Sequence, residues 1–141
     1  MKGYLNRPDA TAETIRPDGF LRTGDVAYRD AQGSLFFVDR LKELIKVKGF
    51  QVAPAEVEGR LLELPQVADA AVIGVDDERA GQVPKAFVVL KPEQALTADE
   101  LVDGLRGSLA EYKLPAKVAF VEAIPKSASG KILRRMLPTT D

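Results

Sequence analysis

The feature that most limits what this chain can fold into is the point at which regular apolar spacing begins. Through residues 1–39 no hydrophobic period is sustained. Two turn-forming clusters, Asn6-Arg7-Pro8-Asp9 and Arg16-Pro17-Asp18-Gly19, punctuate the opening segment. No helix is expected there. Two short strands are expected over residues 25–28 and 34–38, joined by a hairpin turn at Asp30-Ala31-Gln32-Gly33. From about Leu41 the pattern changes. Strands over 44–47 and 50–52 flank the turn Lys48-Gly49. Pro54 suits the first position of a helix with Val57, Leu61 and Leu64 on its apolar face and Pro65 closing it. Strands over 68–75 and 86–90 follow, joined by a polar loop, Asp76-Asp77-Glu78-Arg79-Ala80-Gly81. Thr97 and Glu100 have the spacing of a capping box, opening a helix that presents Leu101, Leu105 and Leu109. A strand over 118–121, a loop over 124–130 and a helical turn or two over 131–137 complete the chain.

This order predicts an α+β domain over residues 40–141, with a short β-hairpin and a small sheet of about three strands packed by helices. Residues 1–39 hold too little apolar surface for a core of their own and read as the edge of something larger.

Composition narrows the chemistry. The 141 residues contain no cysteine and no histidine, so disulfides, thiolate nucleophiles, Cys/His metal sites and Ser-His or Cys-His pairs are excluded. No metal site is expected. Twenty basic residues against 21 acidic ones leave a net charge of −1, unlike the basic footprint of a nucleic-acid binder. The longest apolar run, residues 70–75, is far too short for a membrane span, and the N-terminus lacks the apolar centre of a signal peptide. A cytoplasmic location is expected.

Three constellations carry possible chemistry. Arg22-Thr23-Gly24-Asp25 is a polar turn before a strand, or a loop presenting a carboxylate to paired hydroxyls. Between Arg40 and Lys48 lie four basic residues and one acid. With Ile45 and Val47 on one strand face, Lys46 and Lys48 share the other, as a solvated surface or a phosphate contact. Between Lys126 and Arg135 lie four basic residues and no acid, with small residues before Lys131 that suit close approach of a phosphate. The segment is not Walker A, because Ile132 stands where that motif needs Ser or Thr. As a lone segment it is an ordinary surface loop.

Taken together and in order, these segments closely resemble the C-terminal end of acyl- and aryl-CoA synthetases of the adenylate-forming superfamily. Gly3-Tyr4-Leu5-Asn6-Arg7-Pro8, Val52-Ala53-Pro54-Ala55-Glu56-Val57-Glu58, Tyr112-Lys113-Leu114-Pro115 and Gly130-Lys131-Ile132-Leu133-Arg134-Arg135 also match, so the resemblance covers essentially the whole chain. It implies a two-step ligase. An acid and ATP give an acyl-adenylate, and coenzyme A then displaces AMP. The chain would be a small C-terminal lid that changes pose between the steps, preceded by the tail of a large N-terminal domain.

By the same resemblance, Asp25 binds the ribose, Asp39 is the hinge and Arg40 contacts the nucleotide. Lys131 reaches the carboxylate and α-phosphate during adenylation. Lys46 and Gln51 touch the adenylate in the thioester-forming pose, and Gly49 lines the pantetheine tunnel. Mg2+ would arrive with ATP and not be bound by this chain. The family's ATP loop and acyl pocket have no counterpart here, and Met1-Lys2-Gly3-Tyr4 resembles an internal stretch of the family. The chain is therefore expected to be a piece of a longer enzyme, inactive alone, whose partner is the N-terminal adenylate-forming domain. Two other readings stay open. One is a non-catalytic anion-binding or interaction module using Lys46, Lys48, Lys126 and Lys131. The other is an adenylation domain acting on a carrier-protein thiol.

Overall fold

The computed structural model describes residues 1–140. The chain divides into two compact units, residues 1–42 and the remainder from Glu43 onward.

The first unit opens with a helix where none was expected, α1 (Pro8–Thr14). A turn is present, but earlier than the expected 6–9: the Arg7 amide donates to the Tyr4 carbonyl at 3.2 Å, and Pro8 and Asp9 already belong to the helix. Pro8 sits at the start, where its missing N–H goes unneeded. Thr11 Oγ1 donates to the Arg7 carbonyl at 2.8 Å and accepts from the Tyr4 amide at 3.0 Å. Every residue of α1 is at least partly exposed, so an apolar period had nothing to record. The turn at 16–19 closes as expected, with the Gly19 amide on the Arg16 carbonyl at 2.9 Å. Strands β1 (Asp25–Arg29) and β2 (Leu35–Arg40) form an antiparallel hairpin, and Tyr28 stacks on its cross-strand partner Phe36 at 5.0 Å.

In the second unit the expected hairpin and the expected small sheet are one five-stranded sheet. Strands β3 (Ile45–Val47) and β4 (Phe50–Val52) pair with each other, and Val47 joins β3 to Gly81 at the start of β6 (Gly81–Leu90). β6 pairs antiparallel along its length with β5 (Val67–Asp77) and parallel with β7 (Lys117–Phe120). The polar loop shortens to residues 78–80, because Asp76 and Asp77 stay in register with Gln82 and Gly81. Pro84 is tolerated inside β6 because its absent N–H faces the gap between β3 and β7.

Both faces of β5 are covered. Ala70 and Val72 pack with Val57 and Leu61 of α2 (Pro54–Leu62) and with Leu101 and Leu105 of α3 (Ala98–Leu105). Ala71, Ile73 and Val75 join Phe87, Ile124 and Leu137 on the other face. That is why residues 70–75 read as a continuous apolar run. Both helices end earlier than the spacing suggested. Leu64 and Leu109 lie in the turns that follow and pack against the same core. The final helical turn shrinks to a 3-10 turn, Arg134–Met136.

The capping box at α3 is complete. Thr97 Oγ1 accepts the Glu100 amide at 3.2 Å, and the Glu100 carboxylate accepts the Thr97 amide at 2.9 Å. The Thr97 amide and hydroxyl hold the Glu100 carboxyl below its ordinary value of 4.5. A depressed carboxylate stabilises the fold fully above the unfolded value and loses that contribution as pH falls through the folded one. Glu100→Gln should therefore lower Tm at pH 7 relative to the parent, and the difference should shrink below about pH 4.5. Thermal unfolding across that range checks it; a pH-independent difference would contradict the cap.

Candidate functional site

The sequence-derived site residues fall on three structural features. In the first unit, register places Asp25 opposite Arg40 across β1 and β2. Arg40 Nη1 pairs with Asp25 Oδ1 at 2.9 Å and donates to the Thr23 carbonyl at 3.2 Å. The Leu41 amide closes on the Gly24 carbonyl at 2.8 Å. Around them an open pocket of about 400 Å³ is lined by Thr23, Gly24, Arg40, Leu41 and Lys42. Asp39 is not a loose turn residue. It is 4% exposed, lies in β2 opposite Val26, and its Oδ1 accepts the Arg40 amide at 2.7 Å.

The second feature is the β3–β4 hairpin. Lys46 and Gln51 are cross-strand partners with exposed side chains, while Ile45 and Val47 are buried. Lys48 departs from the expected strand face. It lies in the turn with φ 49°, followed by Gly49 at φ 86°. Positive φ at both central residues is the geometry of a type I′ hairpin turn. A Cβ at Gly49 would meet nothing within 4 Å of this chain, and the left-handed turn is by itself a sufficient reason for glycine here. Beside the turn, Phe50 stacks on Tyr112 at 4.6 Å, and Lys113 pairs with Glu56 at 2.6 Å. A second pocket of about 350 Å³ is bordered by Lys48, Val83, Pro84 and Tyr112.

The third feature is the loop carrying Lys131. Its side chain is exposed. The Ser127 amide donates to the Lys131 carbonyl at 2.8 Å, the Lys131 amide to Ser127 Oγ at 3.2 Å, and the Gly130 amide to the Ser127 carbonyl at 2.9 Å. Lys126 and Ile132 bridge beneath it. The basic run is thus not one anion-facing patch. Lys126 is spent on Asp69 at 2.6 Å, and Arg134 turns inward to Glu58, Glu43 and the Val72 carbonyl.

Glu58, Glu43 and Arg134 were not singled out as a group by sequence reasoning. One signal was available: Pro54, Val57, Glu58 and Leu61 make a helical stripe, and all four are buried. A carboxylate on that stripe demands a cationic partner.

A family profile described as "AMP-binding enzyme C-terminal domain" matches residues 56–131. The chain belongs to that family. The match runs from α2 to Lys131 and leaves Asp25, Asp39, Arg40, Lys46, Gly49 and Gln51 outside it. Similarity to whole relatives extends further. Over 137 residues the chain is 57% identical to 4-coumarate–CoA ligase 2 of Nicotiana tabacum, covering 97% of this chain and 25% of that protein. Among solved structures, ATP-bound MatB from Rhodopseudomonas palustris aligns with TM-score 0.89 and 35% identity, covering 95% of this chain and 27% of that one. o-Succinylbenzoate CoA synthetase (MenE) of Bacillus subtilis, in complex with OSB-AMP, aligns with TM-score 0.87 and 42% identity over 96% of this chain and 28% of that one. The chain spans about a quarter of the length of the relatives it matches.

Gly49→Ala forces a Cβ into left-handed backbone without any steric clash. It should lower stability by roughly 1–2 kcal/mol, read by chemical unfolding; an unchanged midpoint would mean the turn does not require glycine.

Proposed function

We propose that this chain is the C-terminal part of an AMP-forming acid–CoA ligase. Residues 40–141 form its lid, and residues 1–39 are the tail of its N-terminal adenylate-forming domain. The observation that carries the reading is an exposed lysine, Lys131, on a hydrogen-bonded loop of a family lid. Two facts support it. Near-full coverage of this chain matches only a quarter of a 4-coumarate–CoA ligase. The first unit also exposes Leu5, Phe20, Tyr28, Leu35 and Phe37, each by more than half, which suits a surface covered by a larger domain.

In the first half-reaction the acid carboxylate attacks the α-phosphorus of ATP and pyrophosphate leaves. Negative charge spreads over the phosphoryl oxygens, and a Lys131 ammonium brought beside them stabilises it. Asp25, held in place by Arg40, offers two acceptor oxygens to the ribose hydroxyls beside the Thr23–Lys42 pocket. Swinging about Asp39, the lid withdraws Lys131 and presents Lys46 and Gln51 to the adenylate while the thiol of coenzyme A attacks. Gly49 keeps the tunnel mouth clear of a side chain.

ATP and coenzyme A are thus substrates, and Mg2+ travels with ATP. Among the described residues no group of three or more carboxylates gathers to hold a metal, and no step is assigned to one. The names of the relatives favour an aryl acid of the 4-coumarate kind. No helix among the described residues is long and apolar enough to cross a membrane, and a cytoplasmic enzyme fits this cysteine-free chain.

In the full-length ligase, Lys131→Ala should slow acid-dependent ATP–pyrophosphate exchange by about 100- to 1000-fold, and thioester formation from supplied acyl-adenylate by no more than about threefold. Equal loss in both half-reactions would overturn the two-pose assignment. The isolated chain should show no exchange; clear turnover would mean the site does not need the upstream domain.

A further inference from the structure

The loop that presents Lys131 has little regular structure, yet it is held at both roots. On the N-terminal side, Lys126 pairs with Asp69 of β5 at 2.6 Å, and the Leu133 amide ties back to the Pro125 carbonyl at 2.8 Å. On the C-terminal side stands Arg134, three residues from Lys131. Its Nη2 reaches both Glu58 oxygens at 2.7 and 2.8 Å. Its Nε donates to the Val72 carbonyl at 3.2 Å, and its Nη1 lies 3.1 Å from Glu43. One guanidinium thus fastens the loop to α2, to β5 and to Glu43, the first residue of the second unit. A planar fork with several donors sets orientation as well as distance, which a lysine cannot reproduce.

We infer that Arg134 is a positioning residue for Lys131: its inward-facing guanidinium fixes the root of the loop so that the ammonium moves with the lid as a rigid body. Between Arg134 and Lys131 the loop is closed by the Leu133 amide on the Pro125 carbonyl and the Ser127 amide on the Lys131 carbonyl, both at 2.8 Å, so a shift at Arg134 passes to Lys131. A displacement of about 1 Å at a reacting centre is enough to cost about 100-fold in rate. The inference rests on the assignment of Lys131 to adenylation, and it adds a residue that acts through Lys131.

The test uses a full-length ligase ending in this sequence, with Arg134→Gln, Arg134→Lys, Glu43→Gln and Lys131→Ala compared in both half-reactions. Arg134→Gln should lower kcat for ATP–pyrophosphate exchange by about 10- to 100-fold, with KM for acid and ATP and the rate of thioester formation within about threefold. Arg134→Lys should recover part of the loss. Glu43→Gln, which keeps the Glu58 pair, should give a smaller loss confined to the same half-reaction. Faster amide exchange over residues 127–133 should accompany each defect. Unchanged adenylation in the Arg134 variants, or equal decline of both half-reactions, overturns the inference. If Arg134→Gln does not fold, Arg134→Lys and Glu43→Gln decide it, and no selective loss in either counts against it. If Lys131→Ala itself leaves adenylation intact, the underlying assignment fails. If it cripples adenylation while the Arg134 and Glu43 variants behave as the parent, only the positioning role fails.

Discussion

The arrangement of the second unit depends on one buried ion pair. Glu58 is 8% exposed, on the face of α2 that packs against β5. A carboxylate in that position is tolerated only if its charge and lone pairs are met. The Val72 amide supplies one hydrogen bond at 2.8 Å, and the Arg134 guanidinium supplies a two-oxygen contact. Removing one partner of such a pair typically destabilises by about 3–5 kcal/mol, mostly because the remaining charge is stranded. The pair joins helix α2 and the edge strand β5 to the C-terminal segment, 76 residues beyond Glu58.

That linkage matters because the second face of the sheet is covered by chain with little regular structure. Ile124, Ile132 and Leu137 supply apolar cover, but nondirectional burial does not set the path of a loop. Direction comes from polar anchors: Arg134 at Glu58, Lys126 at Asp69, and the buried Lys85, whose Nζ donates to the Thr140 carbonyl at 3.0 Å. Under the role proposed for Lys131, these anchors would set the path of the loop that carries its ammonium group.

How far the sequence could be read differs by element. Capping chemistry at Thr97 and Glu100, the hairpin at Lys48-Gly49 and the helix start at Pro54 were legible, since each is set by local backbone rules. Helix α1 was not, because it buries nothing and leaves no period. The premature ends of α2 and α3 were also hidden. Leu64 and Leu109 remain in the core from turn positions, so apolar spacing overstated the helices. Of the candidate site, the basic residues were visible as a run. Which of them face solvent and which are consumed internally was not, because Lys126 and Arg134 find their acids on β5 and α2, well over 50 residues away.

By itself the sequence carried the family, through the resemblance of its ordered segments. A chain without histidine or cysteine leaves any proton chemistry to carboxylates, lysines, tyrosines or water. It also determined the elements whose rules are local: caps, tight turns and alternating strands. Only the tertiary structure decided that the two expected β pieces are one sheet, through the pairing of Val47 with Gly81 and the Lys48 amide on the Ala80 carbonyl. It alone decided that Asp25 faces Arg40, that Glu58 faces Arg134, and that Lys131 is left at the surface. The physical reason is that a charge is pulled by whatever opposite charge the fold brings within a few ångströms, and that distance is not written in spacing along the chain.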